Sequence, residues 1–126
     1  MVSNKRYIQN VNNAVRKGKF NRPIKIIFTR NKPTTEGKQG VGSHINFKKY
    51  DRIAIWKGLA KNNQEKLNRE RILSKKLGRN VKIATRDRVL RHELWHVHKP
   101  YASERKVRYQ LETKTLPNKL PTRRRF

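Results

Sequence analysis

The sequence RVLRHELWHV, residues 88–97, carries two histidines four positions apart within a run of apolar residues at helical spacing. Thr85 is a suitable N-cap in front of this stretch, and Pro100 closes it because proline cannot extend the helical hydrogen-bond ladder. We therefore predict a helix from Arg86 to about His98. Its apolar positions, which we expect to face a core, are Val89, Leu90, Leu94 and Val97.

Residues His92 to His96 form an H-E-x-x-H motif. Histidines at positions i and i+4 lie one helical turn apart on one face, so both imidazoles can reach the same metal ion. Glu93 lies about 100° around the helix from His92, where it can act as a general base toward water activated by zinc. The other interpretation is a basic helix whose two histidines cover a sheet or contact phosphate.

A catalytic zinc ion needs a third protein ligand, and two glutamates downstream are available. Glu104 starts the next predicted helix, level with the His96 end of the motif, whereas Glu112 lies about 12 Å farther along. Glu104 is therefore the predicted third ligand, although an acid at this position also complements the helix dipole. His98 lies off the motif face and is expected to contact solvent or phosphate, and His44 lies in a predicted strand as a structural residue.

The rest of the chain alternates predicted helices and strands in an α+β order. The elements are a helix capped by Ser3 and closed by Gly18, strands at 24–29, 41–47 and 52–56, a charged helix closed by Gly78, and a helix restarting at Ser103. Residues 1–113 are interpreted as a single basic domain with a charged insertion at 57–84. Residues 114–126, with two prolines and an arginine triplet, are predicted to form an extended basic tail.

Several of these elements are predicted to bury an apolar face. In strand 52–56, Ile53 and Ile55 point inward while Arg52 and Ala54 point outward. In the first helix the apolar positions are Tyr7, Ile8, Val11 and Val15. The charged helix has a thinner apolar stripe, formed by Leu67, Ile72, Leu73 and Leu77.

A helix, a three-stranded sheet, an H-E-x-x-H helix and a further helix together resemble the minimal zincin core. The chain is similar to small gluzincin-like (minigluzincin) and ImmA/IrrE-like metallopeptidase domains, and more distantly to SprT-like proteases. The resemblance covers roughly residues 3–112, with RVLRHELWHV as its specific part. It implies a zinc peptidase in which an edge strand before the motif helix holds a peptide substrate, with Arg52–Trp56 as the nearest candidate. The metzincin variant is excluded, because Lys99 and Ala102 stand where it requires glycine and histidine.

Lysine and arginine number 34 against 8 aspartates and glutamates, which gives a formal net charge of +26. Most cationic side chains must therefore face solvent or phosphate, and a polyanionic partner relieves their mutual repulsion. We predict binding to the phosphate backbone of DNA or RNA, which carries no sequence information. The predicted contact residues are Lys48, Lys49, Lys75, Lys76, Arg123, Arg124 and Arg125.

Composition excludes several other classes of protein. The chain has no cysteine, so disulfides, thiolate nucleophiles and cysteine zinc sites are excluded. No apolar run is long enough for a membrane span, and the N-terminus lacks the apolar region of a secretory signal. The expected location is intracellular, or inside a packaged particle.

Two functions from different classes fit these features. The first is a small zinc metallopeptidase-like protein that acts in a nucleic-acid-rich setting, such as a phage virion or a nucleoprotein particle. The second is a non-enzymatic basic structural or packaging protein, for example a viral protein, that binds nucleic acid and other proteins of a large assembly. A metal-dependent nuclease ranks third, because paired carboxylates are scarce among 8 acids. Metal analysis separates the first two functions.

Overall fold

The computed structural model describes residues 3–17, 23–35, 38–99, 103–108 and 116. These residues form helices and a small mixed sheet, which confirms the predicted α+β class. The helices are α1 (Asn4–Arg16), α2 (Asn63–Leu77), α3 (Arg86–His98) and α4 (Glu104–Lys106), and the strands are β1 (Ile24–Thr29), β2 (Thr34–Thr35), β3 (Lys38–Gln39), β4 (Gly42–Asn46) and β5 (Asp51–Trp56).

The main sheet has three strands in the order β1-β5-β4. β1 runs parallel to β5, whereas β4 runs antiparallel to it with Gly42 opposite Ile55. The prediction that Arg52–Trp56 is the edge strand is therefore wrong, because β5 pairs on both sides and β4 is an edge strand of the described sheet. The central position also buries Ala54, which was predicted to face outward. β2 and β3 form a separate two-stranded ladder in the stretch between β1 and β4.

Side-chain caps begin the helices at the residues that the sequence predicts. The hydroxyl of Ser3 accepts the Arg6 N–H at 3.2 Å, and the hydroxyl of Thr85 accepts the Arg88 N–H at 3.2 Å. Gly78 ends α2 in the left-handed region at φ 66°, where a side chain would be strained. The predicted helix ends at Gly18 and Pro100 lie outside the described residues.

The core lies between the sheet and helices α1 and α3. α3 packs on β4 and β5, and α1 packs on α3 and β1. Fully buried side chains from all of these layers meet there, and each stabilises the fold by about 1.5–3 kcal/mol. They include Tyr7, Ile53, Ile55, Leu94 and Val97. Leu116, within the predicted tail, is also buried in this core, while the other residues of 114–126 lie outside the described part.

The predicted apolar face of α2 is wrong at three of its four positions, and the fourth, Leu73, is half-buried. Leu67, Ile72 and Leu77 are 61%, 62% and 51% exposed, whereas Glu70 is buried. Its carboxylate accepts the Ile83 N–H at 2.8 Å and Lys66 Nζ at 3.1 Å. α2 is therefore attached by polar contacts, which a hydrophobic pattern cannot reveal. None of the helices in the described segments is both long and apolar enough to cross a membrane.

Candidate metal centre

Helix α3 presents both motif histidines on one side and its apolar residues on the other. Leu94 and Val97 are buried against the sheet, which fixes the rotation of the helix. His92 and His96 lie one turn apart and are only partly exposed. The helix begins at its Thr85 cap, so the motif falls in the middle and the C-terminal half of a regular helix.

Glu104 lies across both histidines from the start of α4. Its Oε2 is 2.8 Å from His92 Nε2, and its Oε1 is 2.8 Å from His96 Nε2. The two Nε2 atoms lie 3.2 Å apart. One ligand atom from each residue falls within 4.8 Å of the others, so the three residues form a group that could hold a metal ion. The alternative ligand, Glu112, lies outside the described residues.

The donor atoms of this group suit a cation. Burial lowers the pKa of His96, although the nearby Glu104 opposes this effect. Partial burial disfavours the ionised form of Glu104, but the charges and hydrogen bonds of His96 and His92 outweigh it and lower the pKa. Two imidazole nitrogens and an ionised carboxylate thus converge on one point. Such a nitrogen and oxygen donor set fits a divalent ion such as zinc.

Glu93 lies behind this group in a much drier position. It is 6% exposed, and burial raises its pKa to about 7, with His92 lowering and Glu104 raising the value. A carboxyl group with a near-neutral pKa can both accept and donate a proton at physiological pH. Glu93 is therefore suited to proton transfer beside the cluster.

Gly42 on β4 lies against helix α3 at Val89 and close to Glu93. A Cβ atom at Gly42 would overlap Val89 Cγ1 and lie 3.5 Å from Glu93 Oε1. The glycine therefore allows α3 to approach the edge strand closely. A pocket of about 600 Å³ opens at this contact. Its lining includes Gln39, Gly40, Val41, Gly42, Arg88, His92, Glu93, Glu104 and Arg108.

The outer edge of β4 borders the pocket. Val41 O accepts the Trp56 N–H and Phe47 N–H donates to Tyr50 O, which sets the alternation of hydrogen bonds along the ladder. In this register the backbone groups of Gly42 and His44 point away from β5. The edge next to the cluster thus offers N–H and C=O groups to an added strand.

The other predicted histidines have structural surroundings. His44 Nε2 lies 2.9 Å from Asp51 Oδ1, and Asp51 is 2% exposed. His98 is half-buried and packs edge-on against Tyr7 and Trp95, and burial lowers its pKa. Both residues lie outside the metal-binding group.

Sequence reasoning missed Gly42, Arg88 and Arg108 as residues of this site. Arg88 opens the stretch 88–97 but had no role assigned to it, and Gly42 and Arg108 belong to no motif, because all three join the pocket only in the folded chain. The position of Arg88, four residues before His92, was a usable signal, since it places both on one helix face.

The predicted nucleic-acid contacts lie on separate elements. Lys48 and Lys49 are exposed in the turn between β4 and β5, and Lys75 and Lys76 are exposed near the end of α2. Arg123, Arg124 and Arg125 lie outside the described residues.

Comparisons with family models, curated proteins and solved structures find no match for this chain.

Proposed function

We propose that the protein is a small zinc-dependent peptidase of the zincin type. The observation that carries this proposal is the convergence of His92, His96 and Glu104 beside a buried glutamate. The motif alone would supply two ligands, and the third would come from a separate helix. The proposed metal site therefore depends on more than a short sequence motif. Zinc, when bound, would supply Lewis-acid chemistry that polarises a carbonyl group and lowers the pKa of water.

The protein's own residues would divide the remaining work of amide hydrolysis. Glu93 accepts a proton from the attacking water and passes it to the leaving amide nitrogen, as its near-neutral pKa permits. The outward backbone groups of Gly42 and His44 hold the substrate as an added antiparallel or parallel strand. Gly42 lets α3 approach β4 closely, which places Glu93 next to that strand. One water is consumed, and one acid and one amine are released.

Zinc content and peptide cleavage test this proposal together. The full chain is loaded with zinc, freed of excess metal, and incubated with an unstructured protein whose fragments are identified by mass spectrometry. Glu93→Gln should retain one zinc per chain and lose about 10²–10⁴-fold in cleavage rate.

Glu65→Gln is the matched control, because it makes the same chemical change on the exposed helix α2. It should retain both zinc and cleavage. Equal rates for Glu93→Gln and the wild-type chain, or no cleavage by the zinc-loaded wild-type chain, would refute the peptidase proposal.

We also propose that α2 binds nucleic acid through its phosphates. Both acidic residues of α2 pair within the helix, Glu65 with Arg69 and Glu70 with Lys66. The remaining cations near its end are exposed, namely Arg71, Lys75, Lys76, Arg79 and Lys82. This surface therefore presents positive charge to solvent with its own acids already engaged. A phosphate backbone is the complementary polyanion.

The salt dependence of binding tests the role of α2. A variant with glutamine at Arg71, Lys75, Lys76 and Arg79 is compared with one with glutamine at Lys5, Arg6, Arg16 and Lys17 of the α1 region, all exposed. Affinity for a labelled duplex is measured between ~50 and ~200 mM salt. The α2 variant should reduce the slope of log K against log salt by up to about 4, at about 0.9 per lost contact. Equal reductions in both variants would show that overall charge, rather than α2, binds the duplex.

A further inference from the structure

One face of helix α2 carries side chains of the types that form hydrogen bonds with DNA bases. At about 100° per residue, positions 64, 68, 71 and 75 fall within about 60° of one another around the helix axis. They form a row of two amides and two cations, here named the α2 polar stripe, and all four are exposed: Gln64, Asn68, Arg71 and Lys75. The stripe is about 16 Å long at 1.5 Å per residue, which is about the rise of five base pairs.

The contacts that attach α2 to the rest of the protein lie on its other side. Glu70 accepts the N–H of Ile83 at 2.8 Å. Ser74 Oγ accepts the N–H of Val81 at 2.9 Å. The middle of the polar stripe lies about 130° around the helix from Glu70. The stripe therefore faces solvent while the opposite side holds the helix in place.

The charge of α2 favours a polyanion at the polar stripe. Both acids of the helix lie outside the stripe, where Glu65 pairs with Arg69 and Glu70 pairs with Lys66. In the part of the chain that the structure describes, no ion pair or hydrogen bond engages the side chains of the stripe. Its amides and cations thus keep their full capacity to donate and accept hydrogen bonds.

Two exposed apolar side chains border the stripe, one on each side. Leu67 and Ile72 are 61% and 62% exposed. Each lies about 40° beyond the nearest residue of the stripe. Apolar side chains in the major groove contact the methyl group of thymine. A duplex bound along the stripe would therefore also cover apolar surface that the fold leaves in water.

We propose that α2 enters the major groove of B-form DNA and that the polar stripe contacts the edges of the bases. This inference rests on the proposed binding of nucleic acid by α2, and it names the nucleic acid and the groove. Arginine and lysine form paired hydrogen bonds with guanine, and asparagine and glutamine do so with adenine. Lys76 and Arg79, exposed cations outside the stripe, remain for contacts with the phosphates.

The dimensions of the helix favour DNA over double-stranded RNA. An α-helix with its side chains is about 10–12 Å across, and the major groove of B-form DNA is about 12 Å wide. The major groove of A-form RNA is so deep and narrow that side chains cannot read it. The exposed face of α2 can therefore reach base edges in duplex DNA but not in duplex RNA.

Selection from a library of DNA duplexes tests the proposal with the full chain. Duplexes with about ten random base pairs, one helical turn, are enriched by binding to the wild-type chain and sequenced. About four or five adjacent base pairs that include guanine and adenine should be enriched. Each mismatch in the enriched site should weaken binding by about 5–150-fold. An RNA duplex of the same sequence should bind without a sequence preference.

The two amides separate base contacts from phosphate contacts, because they carry no charge. Gln64→Ala combined with Asn68→Ala should remove the preference for adenine and leave the slope of log K against log salt unchanged. Gln9→Ala combined with Asn13→Ala is the matched control, because it removes the same two amides at the same spacing from exposed positions on α1. It should keep both the preference and the slope.

Three results would overturn the proposal: no enriched sequence, the same preference in both amide variants, or the same preference for the RNA duplex. A salt slope that depends on the α2 cations without any sequence preference would reject the base contacts alone. A preference that depends on Gln64 and Asn68, with equal salt slopes in the α1 and α2 charge variants, would reject the phosphate contacts of α2 alone.

Discussion

Helices α2 and α3 are of similar length, 15 and 13 residues, but different forces hold them in the protein. α3 buries Leu94, Trp95 and Val97 and packs on two strands. α2 buries Glu70 and is joined to the 81–84 segment by that carboxylate. The helix with the candidate metal ligands is thus fixed by apolar packing, whereas the cationic helix keeps its surface in solvent. Rigid placement of α3 suits ligand side chains that must converge on one ion. Exposure of the cationic side chains of α2 suits contact with a polyanion.

The largest expected effect is the loss of the proposed zinc site from α3. His92→Ala removes one of three ligands and should weaken zinc binding by more than about 100-fold. Metal analysis of the dialysed protein measures this loss. His98→Gln, on the same helix but outside the cluster, should keep one zinc per chain. Full zinc occupancy in the His92 variant would place the metal elsewhere.

Truncating one leucine in each helix should destabilise the protein to very different extents. Leu94 is fully buried, so Leu94→Ala should lower the free energy of unfolding by about 2–5 kcal/mol through lost burial and a residual cavity. Leu67 is 61% exposed, so Leu67→Ala should change it by no more than about 0.5 kcal/mol. Denaturant unfolding measures both. Similar losses would show that α2 packs more extensively than the structure indicates.

The two buried glutamates should respond to pH with opposite signs in the metal-free protein. Burial raises the pKa of Glu93 from 4.5 to about 7, so the folded chain keeps a proton that the unfolded chain loses. Below pH 4.5 Glu93 is protonated in both states, and its favourable contribution to the free energy of unfolding is fully present. As the pH rises from 4.5 to about 7, that contribution is lost, and the free energy of unfolding falls by about 3 kcal/mol. Glutamine does not titrate, so only the wild-type chain should lose stability over this range. The Glu93→Gln variant should therefore become more stable relative to the wild-type chain as the pH rises.

Glu70 provides the opposite control on α2. The Ile83 N–H is the main cause that lowers the pKa of Glu70, with Lys66 adding to the effect. Its contribution is present above pH 4.5 and is lost as the pH falls through the lowered pKa. Glu70→Gln should thus destabilise the protein at neutral pH and have less effect in acid. Chemical unfolding at a series of pH values tests both residues, and slopes of the same sign would contradict the assignment.

The smallest expected effect concerns the contact between α3 and β4. Gly42→Ala would overlap Val89 and should cost about 1–3 kcal/mol as an overpacked contact. Gly40→Ala is the matched control, because the nearest atom to its new Cβ is Gly42 O at an ordinary 3.5 Å. Thermal unfolding distinguishes the two variants. Equal stability would show that α3 can withdraw from the edge strand without cost.

Local signals in the sequence predict most of the elements correctly. Ser3 and Thr85 mark helix starts because their hydroxyls can accept a backbone N–H, a property that depends on a few neighbouring residues. The same reasoning fails for α2, where Leu67 and Ile72 look like a core stripe but face solvent. Apolar residues at helical spacing indicate a helix, but a thin stripe of them does not show whether other elements bury it. The buried Glu70 depends on Ile83, thirteen residues away, which periodicity cannot detect.

Composition and the helical period of 3.6 residues are enough to predict the charge, the α+β order and the pair of histidines on one helix face. The identity of the edge strand depends on the folded sheet instead, because β5 takes its central place through pairing with β1 and β4. Packing likewise buried Glu93 against the glycine of β4 and so raised its pKa. It also brought Glu104 within 2.8 Å of both histidines, since the meeting of two separate helices is set by long-range contacts that no local pattern encodes.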